Sequence, residues 1–240
     1  MNGTVLLIGS DTIHRRFLIN FLIDAGAPLQ SVIFEEKQIE PPFSVKPSFQ
    51  AEETKFLLDS LSRLHRQDLD RVTVWRVPTA NHECAKRILE KINPDLGVLS
   101  GARKVNPEVL KHFREGVLNL HLGSAEKYRG LDSNFWAIYH QDFDHLGVTV
   151  HWAEAALDTG PIVFQEPLRL PVGVRIHQLR YYETVLGAEL LRRSLLPDKA
   201  IQIPCRAQVE RGRYYSFMPA CLKEVAAKHL QQRDKRILRR

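Results

Sequence analysis

Short apolar runs alternate along this chain with stretches in which apolar residues recur every three or four positions. The first run, Thr4 to Asp11, ends in Gly-Ser-Asp and predicts a buried parallel strand followed by a turn. The next stretch, TIHRRFLINFLIDAG, has helical spacing and ends on a glycine, a common helix stop. A second apolar run, Leu29 to Glu36, completes a strand–helix–strand unit. This order is typical of a parallel sheet.

The same alternation continues through most of the chain. After a polar, proline-bearing loop, the pattern predicts helices and strands in turn. The predicted helices span residues 52–69, 81–93, 106–116, 132–142 and 175–197, and the predicted strands span residues 70–78, 96–105, 117–123, 147–153 and 161–167. A further short strand is possible in GRYYSFMP. The sequence therefore predicts an α/β fold built on a mostly parallel sheet.

Composition is that of an ordinary globular protein, with 44% hydrophobic and 26% charged residues in 240. No apolar run approaches the roughly 20 residues that a membrane helix needs, and MNGTVLLIGSD lacks the basic start of a signal peptide. Cys84, Cys205 and Cys221 are scattered and form no C-x-x-C pair. We expect reduced thiols in a cytoplasmic protein, without a disulfide framework or a zinc site.

Lysine and arginine exceed aspartate and glutamate by 34 to 28, and much of the excess lies in the final segment KHLQQRDKRILRR. This segment predicts a basic helix end. Such an end is either a solvated tail or a contact for an anionic partner, and the sequence leaves both open.

Asn119 and His121 lie at alternate positions near the end of a predicted strand, so both side chains share one face of the sheet. Ligands of open α/β sheets bind beyond the carboxyl ends of the strands. An imidazole exchanges protons near neutral pH, and an asparagine amide can donate to an oxyanion. Asp158 follows in a glycine-bearing loop. Each residue alone also fits an ordinary structural role, a strand histidine or a turn aspartate.

Four motifs occur in order between residues 96 and 165: N-x-H, a loop ending in Y-R-G, G-x-T-x-H and D-x-G. In NLHLGSAEKYRG and GVTVHWAEAALDTGPIVFQ this combination resembles the folate-dependent formyltransferases. The family includes glycinamide ribonucleotide, methionyl-tRNA and sugar-nucleotide formyltransferases. The resemblance implies a Rossmann-like sheet with helices on both faces. We expect a catalytic domain over residues 1–197 and a C-terminal extension with a basic tail over residues 198–240.

The resemblance also implies roles for individual residues. The catalytic residues would be Asn119, His121 and Asp158. The folate-binding residues would be Leu99, Ser100, Gly101, Ala102, Val105 and Leu157. His151 would lie near the active site. With it we expect Ser10, Lys127, Tyr128 and Arg129 to bind the substrate, although Lys127 and Arg129 fit equally a contact to a phosphate or the folate tail and an exposed loop pair. N10-formyltetrahydrofolate would be the co-substrate, and no metal is expected.

The expected reaction is N-formyl transfer to a primary amine of a small molecule, with an amino-sugar nucleotide as the leading acceptor by resemblance. Methionyl-tRNA is less expected, because that family member carries a further C-terminal domain. IGSDTIHRRF differs from the Gly-Ser-Asn loop of the purine enzyme, and Leu122 to Glu126 departs from the family's Pro-Ser-Leu-Leu-Pro. Whether His14 to Arg16 meet an anionic acceptor stays open.

Three alternatives remain at this stage: a formyltetrahydrofolate hydrolase, a non-catalytic folate- or partner-binding module on the same fold, and an RNA-binding protein that uses the basic tail. No nucleic-acid motif supports the last of these. We expect no membrane partner and no nucleic-acid partner, and a homodimer is possible.

Overall fold

A seven-stranded sheet forms the centre of the fold in the computed structural model, which describes residues 4–37, 40–196 and 203–239. Its strands are β1 (Val5–Gly9), β2 (Leu29–Glu35), β3 (Thr73–Val77), β4 (Leu96–Ser100), β5 (Gly116–His121), β7 (Gly147–Trp152) and β8 (Ile162–Pro167). They lie in the order β3-β2-β1-β4-β5-β7-β8. Strands β1 to β5 pair in parallel, and β7 and β8 add to this sheet as antiparallel strands.

Seven α-helices accompany the sheet in the described part of the chain. They are α1 (Ile13–Asp24), α2 (Gln50–Leu64), α3 (Glu83–Ile92), α4 (Pro107–Leu110), α5 (Ser133–Tyr139), α6 (Leu179–Leu195) and α7 (Ala220–Ile237). A small parallel pair, β6 (Tyr128–Gly130) with β9 (Arg213–Tyr215), lies outside the central sheet.

Residues of β1 alternate between two cores because successive strand residues point to opposite faces. Val5 and Leu7 pack in a core with residues of α1, α2 and α6. Leu6 and Ile8 pack on the other face with residues of α3 and α4. The predicted α/β fold, a mostly parallel sheet with helices on both faces, is therefore confirmed.

Strand order reverses between β1 and β4, because the chain builds outward from β1 in both directions. Such a switch point leaves a crevice beyond the carboxyl ends of the two strands. The predicted strand over residues 96–105 ends at Ser100, since Gly101 takes a left-handed φ of +59° and turns the chain into a loop. That loop enters the crevice.

Residues 203–239 pack against the rest of the protein. A third core joins Phe135 and Ile138 of α5 to Met218, Ala226 and Leu230 of the C-terminal part. The expected domain boundary between residues 197 and 198 lies outside the described residues. Among the helices that the structure describes, none combines the length and the apolar character needed to cross a membrane.

Candidate active site

Asn119 and His121 lie on the same face of β5, as the alternation predicts, while the neighbouring Leu118 and Leu120 join the core on the opposite face. The antiparallel register pairs Asn119 with His151 of β7. The Asn119 amide donates one hydrogen bond to His151 Nε2 at 3.0 Å and another to Asp158 Oδ1 at 3.1 Å. Three separate segments thus meet at one amide group.

Asp158 follows β7 in a loop and adopts a left-handed backbone, with φ of 54°. Its Oδ2 accepts a hydrogen bond from the Gly130 backbone N–H at 2.8 Å. Burial raises the pKa of Asp158, but His121 and His151, when their rings are protonated, and the Gly130 N–H outweigh burial and hold that pKa well below its usual range. Asp158 is therefore a carboxylate at any physiological pH.

Backbone carbonyls determine which nitrogen of each histidine carries a proton. A carbonyl oxygen can only accept, so His121 Nε2 donates to Tyr128 O at 2.7 Å and His151 Nδ1 donates to Trp152 O at 2.8 Å. His151 Nε2 is then the acceptor for Asn119. His121 Nδ1 faces Asp158 Oδ1 at 3.7 Å, which is longer than a hydrogen bond.

Gly123 makes room for His121. A Cβ atom at residue 123 would lie 2.6 Å from His121 Nε2 and 2.5 Å from the Cβ of Ser133. The position of the imidazole therefore requires a glycine at residue 123. No larger residue fits between the ring and α5.

A cleft of about 730 Å³ opens at the switch point, and the three predicted catalytic residues line it. Its volume falls in the ordinary range of ligand pockets, roughly 300–1,000 Å³. All six predicted folate-binding residues line it, as do Ser10 and His151. The six are Leu99, Ser100, Gly101, Ala102, Val105 and Leu157.

Glu35, a buried carboxylate at the end of β2, holds the loop after β4 through hydrogen bonds. Its Oε1 accepts from the Ala80 N–H at 2.8 Å and its Oε2 from the Arg103 N–H at 2.7 Å. Asn81 also holds the loop, donating to Lys104 O and accepting from the Asn106 N–H, both at 2.8 Å. The backbone of the loop is thus pinned at several points.

Arg15, in the first turn of α1, links the start of that helix to the end of β4. It donates to Ser100 O at 2.5 Å and to Thr12 Oγ1 at 2.9 Å. Burial, together with the positive charge of Arg180, lowers the pKa of Arg15 to about 10, so it remains cationic at neutral pH. Arg16 instead forms an ion pair with Asp11 at 2.7 Å. Of the two arginines, only Arg15 lines the cleft.

Lys127, Tyr128 and Arg129 do not appear among the described residues that line the cleft. Lys127 pairs with Glu210 at 2.6 Å, and the Tyr128 hydroxyl donates to Asp142 at 2.9 Å. Arg129 donates to the Gly212 carbonyl at 2.7 Å. Lys127 and Arg129 are thus held by the C-terminal part and Tyr128 by Asp142, and the structure does not place these three predicted acceptor-binding residues in the cleft lining.

Later segments of the chain contribute a part of the cleft that the sequence pattern did not predict. Asp132 and Ser133 come from the start of α5, Arg180 and Glu183 from α6, and Tyr214 from β9, and all line the cleft. Arg180 and Glu183 form an ion pair at 2.8 Å. No local signal in the sequence marks these residues, since charged residues are common on helices. Among the described residues, no group of three or more His, Cys, Asp or Glu side chains is placed to hold a metal ion.

Comparisons with known proteins show which family the chain belongs to. A family model described as formyl transferase matches residues 44–180, more than half of the chain. Methionyl-tRNA formyltransferase of Syntrophus aciditrophicus is 30% identical over 148 residues, which are 61% of this chain and 47% of the relative. The chain thus spans about half the length of that relative.

Solved structures share the fold over nearly the whole chain. Glycinamide ribonucleotide transformylase 1 from Symbiobacterium toebii superposes with a TM-score of 0.59 at 17% identity, covering 85% of this chain and 93% of that one. A sugar N-formyltransferase from a Shewanella species gives a TM-score of 0.60 at 13% identity, covering 96% of this chain and 88% of that one. With the family model spanning the Asn119, His121 and Asp158 positions, the chain belongs to the formyl transferase family.

Proposed function

We propose that this protein transfers the formyl group of N10-formyltetrahydrofolate to a primary amine. One observation carries the proposal. Asn119 and His121 of β5 and Asp158 of the loop after β7 converge in a cleft that the loop after β4 also lines. Such a convergence of an amide, an imidazole and a carboxylate supports acyl-type transfer.

The neutral amine attacks the formyl carbon, forming a C–N bond while the carbonyl electron pair moves to oxygen. His121 has its Nε2–H committed to Tyr128 O, so Nδ1 is the nitrogen that accepts the proton leaving the attacking amine. Asp158, ionised and 3.7 Å from Nδ1, stabilises the imidazolium that results. Breakage of the bond from the formyl carbon to N10 then returns this proton to N10.

The tetrahedral oxyanion needs donors that face the cleft. The protonated His121 Nδ1–H is one, and the Asn119 amide is the other once one of its two N–H bonds turns from Asp158 or His151 to the oxyanion. Removal of one such donor typically costs about 10²–10³ in turnover.

The loop after β4 fits the pterin end of the co-substrate. Leu99 of β4, Ala102 and Val105 of the loop, and Leu157 line this part of the cleft with apolar side chains. Such a lining suits a flat ring system, and the pinned backbone between residues 100 and 105 offers polar groups at fixed positions. These residues would hold the co-substrate with its formyl group toward His121.

For the acceptor we favour an amino-sugar nucleotide. Arg15 supports this choice, because in the described structure it hydrogen-bonds to neutral oxygen atoms only and remains available as a cation for phosphate. The cleft volume of about 730 Å³ suits a small molecule beside the folate. Methionyl-tRNA is the second candidate, favoured by the 30% identity to a methionyl-tRNA formyltransferase and by the basic end of α7.

The experiment follows loss of the formyl group from N10-formyltetrahydrofolate spectroscopically. It is run without an acceptor, with amino-sugar nucleotides, with simple amines and with methionyl-tRNA, and binding of tetrahydrofolate is measured separately. Turnover that requires an amine supports the transferase and identifies its acceptor. Turnover without any amine would establish the hydrolase instead. Folate binding with no turnover under any condition would leave the non-catalytic module.

Two variants test the residue roles in the same assay. We expect His121→Ala and Asp158→Asn each to lower turnover at least a thousandfold, since each removes a group that acts in the proton transfer. Tetrahydrofolate binding serves as the control for folding. Near-normal turnover in either variant would contradict the proposed mechanism.

A further inference from the structure

Residues 203–215, here called the clasp, run across the outer edge of the candidate active site. Arg206 exchanges two backbone hydrogen bonds with Ile162 of β8, at 2.7 and 2.9 Å. Farther along, β9 pairs with β6. The clasp lies beyond residue 180, where the match to the family model ends.

Gln208, half-buried within the clasp, binds the loop that carries Asp158. Its Nε2 donates to the Asp158 carbonyl at 3.0 Å and to the Gly160 carbonyl at 2.9 Å. The Gln208 side-chain amide thus donates both of its N–H groups to the backbone of the loop that carries Asp158. Arg129 adds a weaker contact at 3.4 Å to the Leu157 carbonyl while it holds the Gly212 carbonyl of the clasp at 2.7 Å.

The Asp158 backbone needs such support. Its φ of 54° lies in the left-handed region, which a residue with a side chain adopts only where its surroundings hold it there. Gly160 lies so close to Trp152 that a Cβ atom would be 1.9 Å from the Trp152 carbonyl oxygen. The loop backbone therefore has little room to shift at Gly160. Gln208 hydrogen-bonds to the carbonyls of Asp158 and Gly160 in this loop.

The chain on either side of Gln208 is held by one carboxylate, that of Glu126. Glu126 accepts hydrogen bonds from the Arg206 guanidinium at 2.9 and 2.7 Å and from the Val209 N–H at 2.7 Å. These contacts bracket residue 208 in the chain. Gln165 Nε2 of β8 donates to the same carboxylate at 3.2 Å. Glu126 comes from the loop after β5, so the loop that directly follows His121 also fixes the clasp.

We propose that Gln208 is a positioning residue that holds the Asp158 carboxylate at its working distance from His121. This role rests on the proposed function, because it is defined by the reaction of Asp158. Gln208 touches the loop backbone rather than any reacting atom. Its removal should therefore impair the chemical step while leaving the folate side of the cleft, formed by the loop after β4, unchanged.

The test compares Gln208→Met, which keeps the length of the side chain but removes both donors, with Gln208→Lys, which retains N–H donors. Cys205→Ser, at an exposed position of the same clasp, is the matched control. Each protein is measured for kcat, for the KM of N10-formyltetrahydrofolate, for thermal unfolding and for hydrogen exchange over residues 157–160.

We expect Gln208→Met to lower kcat about ten- to a hundredfold, as small displacements of catalytic groups do. The KM for the folate should change less than threefold, and exchange over residues 157–160 should be faster. Gln208→Lys should recover most of kcat, and Cys205→Ser should match the parent protein.

An unchanged kcat in Gln208→Met, with an active parent protein, would overturn the inference. So would equal losses in the Met and Lys variants together with lowered thermal stability, because that result indicates a merely structural role. A parent protein that neither transfers nor hydrolyses the formyl group would instead overturn the proposed function. In that case, unchanged exchange over residues 157–160 in Gln208→Met would show independently that the clasp does not order the loop.

Discussion

Asn119 of β5 and His151 of β7 face each other across an antiparallel strand pair, and the Asn119 amide donates a 3.0 Å hydrogen bond to His151 Nε2. The His151 ring is fixed in turn by its Nδ1–H, which bonds the Trp152 carbonyl at 2.8 Å. One histidine thus orients the amide whose donors the proposed mechanism directs to the oxyanion. His151 is buried, with 1% of its surface exposed, so solvent does not compete for this bond.

Replacement of His151 tests this arrangement. We expect His151→Ala to lower kcat about ten- to a hundredfold, because the Asn119 amide loses the acceptor that sets its orientation. Initial rates with N10-formyltetrahydrofolate and the acceptor measure the effect. His112→Ala, which changes a histidine away from the cleft, is the control. A His151→Ala protein with parental kcat would show that Asn119 needs no such orientation.

Gly123→Ala should displace His121. The new methyl group would lie 2.6 Å from His121 Nε2 and 2.5 Å from the Ser133 Cβ, so the ring or α5 must shift. We expect kcat to fall at least a hundredfold, which rate assays measure. We also expect the free energy of unfolding to fall by about 1–3 kcal/mol, which chemical denaturation measures.

Gly147→Ala is a milder comparison for the Gly123 variant, since its nearest contact is the Glu166 carbonyl oxygen at 3.1 Å. Equal activity in the two variants would argue against a special role for the space at Gly123.

Glu35→Gln should weaken folate binding. The buried carboxylate accepts from two backbone N–H groups, and a glutamine would turn its amide N–H₂ against one of them. We expect the KM of N10-formyltetrahydrofolate to rise about tenfold with kcat within about threefold, because the loop after β4 loosens while His121 stays in place. Glu36→Gln, at the exposed next residue, is the control. A pure loss of kcat would contradict this assignment.

Ionised Glu126 contributes to the free energy of unfolding over a pH range that its lowered pKa defines. The Arg206 guanidinium and the Val209 N–H lower the pKa of Glu126 to about 2, against the opposing effect of burial. A carboxyl group with a lowered pKa in the folded state stabilises the protein above its unfolded pKa, about 4.3, and loses that contribution as pH falls through the folded value.

We therefore expect Glu126→Gln to reduce the free energy of unfolding by about 1 kcal/mol at pH 7, a modest value because Arg206 is half exposed. The difference from the parent protein should shrink as the pH falls from about 4.3 toward 2. Denaturant unfolding at pH 7 and pH 3 measures it. A difference that grows toward low pH would contradict the ion-pair assignment.

Much of this protein follows from local pattern. The apolar runs and helical spacings predict the order of strands and helices, because burial and backbone periodicity act over a few residues at a time. Alternation along β5 is enough to place Asn119 and His121 on one face. The motif around Asp158 predicts that it belongs with them, and the family match spans all three positions.

Tertiary structure alone decided which further residues meet at the cleft. Lys127 and Arg129 follow Asn119 and His121 closely in sequence, yet Lys127 pairs with Glu210 and Arg129 donates to the Gly212 carbonyl, and neither lines the cleft. Gln208 lies 50 residues beyond Asp158 and contacts its backbone at 3.0 Å. A contact of that kind depends on the path of the whole chain, since no periodicity or spacing links residues that far apart.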